Sequence, residues 1–369
     1  MKSSVALCDI RQICRLNLDG QSVIPAVLTA LHDWVPSRMN LFQWVNESCQ
    51  PSNLYLDAPT AIETGELYLD EFSDGRKHEA IPSLAEILRN SWKAENSLCD
   101  GPQLSRSSLY DPVYRPCPVH HHLRVPVRER DRPLGMLMLF RSRNDRPFST
   151  QDEDRAAQVA PYIARALVAK PVPATSFIDD GNNGLIVIDV QGTIQHMSPR
   201  GRHLLYLAAH PRVVPGKTGN PLDSPVWRGL RHLAQALVGN ARGETVRPPV
   251  LPHENAWGKF LFHAHWLQPA DAGTLDLIGV TVQHLVAMPI VLMQAMAKFP
   301  LSPKQKELCL LLGAGLPYNE IARRMGISPT TVTDYVGVIF AKLDVHSRDE
   351  LLRKLLNSLR EPGFSAPAW

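Results

Sequence analysis

The last fifth of the chain is so densely marked with helix starts and stops that it constrains the fold more than any other feature. Ser302 precedes Pro303 and stands three residues before Gln305, Ser328 precedes Pro329, and Ser347-Arg-Asp-Glu350 fits a capping box. Gly326 supplies a turn between Met325 and Ser328. Four short helices follow, and the second and third, joined by that turn over about residues 319–338, have helix-turn-helix spacing. Ile321, Ala322, Met325, Ile327, Val332, Val336, Ile339, Phe340 and Leu343 recur as one apolar face that locks the pair. Thr331, Thr333, Asp334 and Gly337 are left outward on the third helix, and a B-DNA major groove accepts one such helix.

Charge points to the same segment. The chain has 39 Lys and Arg against 36 Asp and Glu, a formal +3. Ala297–Trp369 holds ten basic and seven acidic residues, while the chain before it has 29 of each. The whole excess therefore sits beside the helix-turn-helix, where a polyanion would be met.

The tail resembles the LuxR-type DNA-binding domain from about Leu301 to Leu355. The resemblance rests on Leu301-Ser-Pro-Lys-Gln-Lys-Glu307, Gly315 through Glu320-Ile-Ala322, Gly326-Ile-Ser-Pro-Thr-Thr-Val332 and Lys342-Leu-Asp-Val-His-Ser-Arg348. It implies double-stranded DNA as partner, met by Lys304, Arg323, Arg324, Ser328, Thr330, Thr331, Thr333, Asp334, Tyr335, Gly337 and Lys342. Thr333 stands where the family usually has Lys, Tyr335 where it has His, and Gly337 where a basic residue is frequent. Phosphate contacts then fall on Lys304, Arg323, Arg324, Lys342 and the backbone N–H groups near Ser328. Leu351, Leu352, Leu355, Leu356 and Leu359 stripe the last helix. That stripe either packs on its own domain or, as the resemblance suggests, also forms a homodimer contact.

The 369 residues exceed the roughly 100–200 of one domain, so two or three compact units are expected in all. Leu123–Val127 and Leu134–Phe140 read as a hairpin, Pro147-Phe-Ser149 as a loop, and Thr150 to about Lys170 as a helix opened by Thr150-Gln-Asp-Glu153. An apolar helix over Val23–Trp34, a strand around Leu41–Val45 and a helix over Leu84–Glu95 precede them. This order resembles a GAF domain, an α+β sensor fold, over residues 1–170. After a linker at 171–174, residues 175–287 open with Gly184–Asp189, a turn at Gly192 and Ile194–Met197. A helical stretch spans Arg200–Ala209, Pro211–Pro225 reads as an insertion, and Lys259–Leu267 and Leu275–Val282 read as strands. This block looks like a PAS domain. Residues 288–300 would be a connecting helix, 301–361 the all-α four-helix domain and 362–369 a tail.

These features predict a cytoplasmic DNA-binding transcription regulator, not an enzyme, in which amino-terminal sensor domains control the helix-turn-helix. No stretch reaches the roughly 18 apolar residues of a membrane span, and Asp9 and Arg11 interrupt any secretory signal. The six cysteines form no Cys-x-x-Cys pair and read as reduced thiols. Neither cofactor nor metal is expected. In Cys117-Pro-Val-His120-His-His122 consecutive ligands diverge on a strand, and His263-Ala-His265 shares a face but has no evident third ligand. A nucleophilic Cys117 has no readable orienting group. Two alternatives stay open for the sensor blocks. They bind a small-molecule effector, with Trp44, Tyr55, Tyr68, Tyr110 and Trp266 as candidate pocket residues, or they act as protein-interaction and dimerisation modules.

Overall fold

A computed structural model describes residues 2–57, 84–90, 92–98, 106, 115, 119–174, 176–179, 181, 183–212, 224–243, 248–268 and 276–360. The first domain contains α1 (Lys2–Ile13), α2 (Gly20–Trp34), β1 (Met39–Val45), β2 (Pro51–Leu56), α3 (Leu84–Arg89), β3 (Glu95–Leu98), β4 (His121–Glu129), β5 (Arg132–Arg141) and α4 (Thr150–Val168). Its antiparallel sheet runs β2-β1-β5-β4-β3. Strands β4 and β5 are buried along nearly their whole length because both faces are covered. On one face Phe42, Leu123, Val125 and Leu137 pack with α1, α2 and α4. On the other, Leu41, Leu54, Leu56, Met136, Met138 and Phe140 pack with Ile87 and Leu88 of α3.

Of the boundaries that differ from the sequence expectation, two have a clear local cause. The box that opens α4 starts one residue early: Ser149 Oγ accepts from the Asp152 backbone N–H, and Asp152 accepts from that of Ser149. Asp152 is also held at 3.1 Å by the buried Arg141, which fixes the register. The helix expected over Leu84–Glu95 stops at Arg89, because Glu95 instead opens β3 and pairs with Arg124 on the neighbouring strand at 2.7 Å.

The second domain comprises β6 (Phe177–Asp179), β7 (Gly184–Asp189), β8 (Ile194–Met197), α5 (Pro199–Ala209), α6 (Pro225–Ala241), β9 (Val250–Asn255), β10 (Gly258–Trp266) and β11 (Leu277–Ala287). Its sheet runs β8-β7-β11-β10-β9, with β6 on the far end of β11. Counted from each opening hairpin, the two sheets have the same strand order. Helix α5 crosses β7 so closely that a Cβ on Gly201 would stand 2.4 Å from the Leu185 carbonyl oxygen, so only glycine fits there. Ser224 caps α6, a helix not anticipated in the sequence because it follows directly on a Pro/Gly-rich stretch.

The two domains meet through aromatic rings. Trp44 and Tyr55, on the face of the first sheet that packs with α1, α2 and α4, lie 6.0 and 5.4 Å from Trp257 in the β9–β10 turn. Gln21 Nε2 donates to the Pro211 carbonyl at 2.7 Å, and Ser22 Oγ to that of Ala256 at 3.1 Å. The chain then forms α7 (Met288–Met296), α8 (Pro303–Gly313), α9 (Tyr318–Met325), α10 (Pro329–Leu343) and α11 (Arg348–Arg360). Ile290, Leu292, Met293, Ala295 and Met296 of α7 are buried in a single apolar core that also holds Ile10, Leu28 and Ile163 of the first domain and Leu308, Ile339 and Leu355 of the last. Among the described residues no helix is long and apolar enough to cross a membrane.

Candidate nucleic-acid interface

Helices α8 to α11 build the site. Ser302 and Gln305 form the predicted reciprocal cap of α8, and Lys342 Nζ from the end of α10 donates to Gln305 Oε1 at 3.0 Å and to the Pro300 carbonyl at 3.2 Å. Lys342 therefore ties α10 to the start of α8. Gly326 ends α9 with φ +64°, and the Ile327 backbone N–H bonds back to the Ala322 carbonyl at 3.0 Å. This left-handed residue sets the angle at which α10 leaves. Ser328 then caps α10, its Oγ accepting from the Thr331 backbone N–H at 3.1 Å.

Ile321, Ala322, Val332, Val336, Ile339 and Leu343 are buried, and Met325, Ile327 and Phe340 pack half-buried against them. The opposite side of α10 exposes Thr330, Thr333, Asp334, Gly337, Val338 and Ala341. Thr331 and Tyr335 are half-buried on its flanks. Val338 and Ala341 were missed in the sequence, although the spacing that selected Asp334 and Gly337 selects them too once carried one turn further.

The cations lie at the rim. Lys304 is exposed on α8. Arg323 and Arg324 both grip Glu320, at 2.7 and 2.9 Å, and their hydrogen bonds, that of Arg324 foremost, hold the Glu320 carboxyl below its ordinary range. The two arginines thus reach outward from one carboxylate anchor.

The leucine stripe of α11 divides. Leu351 and Leu355 are fully buried inside this chain, while Leu352, Leu356 and Leu359 are half-buried. Leu352 lies beside Leu292 and Met288 of α7 around Gly313, and Lys298 Nζ donates to the Ser358 carbonyl. Much of the stripe is therefore used within the chain. A contact not foreseen joins the first helix to this domain: Lys306 of α8 and Asp9 of α1 form a buried ion pair at 2.5 Å, flanked by Gln12 Nε2 donating to the Pro303 carbonyl at 2.7 Å. The sequence gives no signal of partners 297 residues apart.

Of the expected pocket residues, Trp44 and Tyr55 come together with Trp257 and His203 at the domain junction. Trp266 stands at the opposite end of β10, and Tyr68 and Tyr110 lie outside the described residues. Cys117 also lies outside them. The neighbouring histidines diverge: His121 Nε2 is 3.2 Å from the Asp145 carbonyl, whereas His122 stacks on Phe140 at 4.7 Å. Among the described residues no group of three His, Cys, Asp or Glu could hold a metal, and His263 and His265 share the outer face of β10.

Residues 300–355 match the family described as bacterial regulatory proteins, luxR family. No curated protein matches the chain. Among solved structures, the VqmA dimer of Vibrio cholerae without its target DNA is 18% identical with a TM-score of 0.20, over 47% of this chain and 82% of that one. The DhaR(N)–DhaL complex of E. coli is 14% identical with a TM-score of 0.26, over 76% of this chain and 87% of that one. Residues 300–355 are thus a LuxR-type helix-turn-helix domain, which implies a DNA-binding transcription regulator.

Proposed function

We propose that the chain is a regulator whose GAF-like and PAS-like domains sense a small-molecule effector and bias the helix-turn-helix, which meets DNA as a homodimer and acts by binding, not by catalysis. The single apolar core carries this reading: α7 is packed between the first domain and α8 and α11, so neither end can move without repacking it. A flexible tether would transmit nothing.

Unsatisfied polar groups support an effector site on the α3-covered face of the first sheet. Both amide atoms of Gln43 and the Nε2 of His122 are buried and have no hydrogen-bond partner among the described residues, amid Leu41, Met136 and Phe140. Burial, reinforced by the Arg124 charge, pushes His122 well below its ordinary range, so it is neutral at pH 7. Each such orphan costs about 1–3 kcal/mol, which a hydrogen-bonding ligand would recover. Trp44 and Tyr55 serve instead to hold the two sensor domains together, and Leu356 and Leu359 are the part of the stripe left to face a second copy.

A DNA footprint with the full chain tests the main reading, with protection of a roughly two-fold symmetric site expected. Absence of binding even at low salt, where phosphate contacts are strongest, would overturn it.

A further inference from the structure

The cations of the tail sit around α10, not on its groove-facing side. At 100° per residue, Thr330, Asp334, Gly337 and Ala341 run along the centre of the exposed face, with Thr333 and Val338 on its shoulders, opposite the buried Val332, Ile339 and Leu343. Guanine is read in the major groove by Arg or Lys and adenine by Asn or Gln, and this face contains none of the four. It offers methyl groups and one carboxylate.

Hydrogen bonding within the helix strengthens the contrast. The Thr333 hydroxyl donates to the Pro329 carbonyl at 3.2 Å, which leaves its methyl as the group to present. The Thr331 hydroxyl is engaged by Ser328 Oγ at 2.8 Å. Val338 is 46% exposed and adds two further methyl groups to this face. Gly337 has open space where a Cβ would stand, so the helix backbone itself can approach the base edges at its centre.

We propose that α10 reads pyrimidines: the methyls of Thr333, Val338 and Ala341 pack against thymine C5-methyl groups, and Asp334 accepts a hydrogen bond from a cytosine N4 amino group. This rests on the assignment of α10 as the groove-entering helix. It makes Val338 and Asp334 specificity determinants and places the recognition on thymine and cytosine.

The test uses the full chain and a duplex selected from a random pool. Replacing each thymine in turn by uracil deletes only the C5-methyl and keeps every hydrogen-bonding group. At the contacted positions affinity should fall about fourfold per buried methyl. Val338→Ala, a change at an exposed side chain, should itself weaken binding and abolish the sensitivity to one of those uracils while leaving the others intact. Asp334→Ala should relax the preference for cytosine at one position. Specific binding that is indifferent to uracil at every position would overturn the proposal while leaving the DNA-binding reading in place. Failure to bind any duplex at low salt would overturn that reading itself. A selected site dominated by guanine contacts, found by 7-deazaguanine interference, would also refute pyrimidine reading.

Discussion

Replacing Asp9 by Asn removes one charge from the contact that joins α1 to α8. Lys306 is 1% exposed, and its ammonium stands 2.5 Å from the Asp9 carboxylate. At that distance the attraction is roughly 7 kcal/mol for an effective dielectric of 20, a gross value. Against it stands the desolvation of both ions, several kcal/mol each. Burial, outweighing the Lys306 hydrogen bond and charge, raises the Asp9 carboxyl above its ordinary value. The pair as a whole is close to neutral for stability, but either half alone is not. Asp9→Asn should cost about 3–5 kcal/mol because it strands a buried ammonium, and Lys306→Met a similar amount because it strands a carboxylate. The double variant Asp9→Asn/Lys306→Met, which removes both charges together, should be less destabilised than either single change. Thermal melting of the four proteins, with hydrogen exchange over Leu308–Leu312 to localise the effect, measures this. Single variants that cost less than about 1 kcal/mol, or a double variant whose loss equals the sum of the two, would refute it.

His32 lies 2.8 Å from Asp57, and although burial works against its protonation, the Asp57 hydrogen bond and charge and the Ser37 carbonyl prevail and raise it above its ordinary value. The stability it adds is fully present below the ordinary imidazole pKa and lost as pH rises through the raised one, so Asp57→Asn should flatten the melting temperature against pH across that interval. Gly337→Ala should raise stability by about 1 kcal/mol in thermal melting, since it removes a mid-helix glycine and the added methyl meets no atom within 4 Å. Glu320→Gln frees Arg323 and Arg324 from their shared carboxylate and should tighten binding to nonspecific duplex at low salt, with a steeper loss of affinity as salt is raised.

What could be read in the sequence was whatever a short run of residues decides. The caps at Ser302 and Ser328, the left-handed turn at Gly326 and the apolar face from Ile321 to Leu343 are local, and all form as expected. The β4–β5 and β7–β8 hairpins were equally legible, since alternation and a turn define them. Helix α6 was hidden because proline and glycine just before it mask the Ser224 cap. The roles of Trp44 and Tyr55 depended on Trp257, some two hundred residues away in the chain, and the partner of Lys306 on Asp9. Composition cannot announce such pairs. Leu351 and Leu355 were indistinguishable from Leu352 and Leu356 by residue type, and only the position of α7 separates the inward from the half-covered members of the stripe.

The geometry of the first sheet bears on how an effector would reach α10. Gln43 and His122 face one side, while their strand neighbours Phe42 and Leu123 face the other, in the core that continues through α7. Period-two alternation puts Phe42 and Leu123 next to Gln43 and His122 on the same backbone, so a ligand that displaces either strand displaces the opposite face with it. A packed core cannot absorb such a shift smoothly, so it repacks between discrete arrangements. The ligand can bias that choice only by the difference in its affinity for the two. A hydrogen bond made to Gln43 in one arrangement and lost in the other supplies such a difference. Gln43→Leu keeps the burial and removes the polar group. On the proposed reading it should stabilise the ligand-free chain while abolishing the shift in melting temperature that an effector produces. A variant that kept the effector response in full would move the sensing site elsewhere in the molecule.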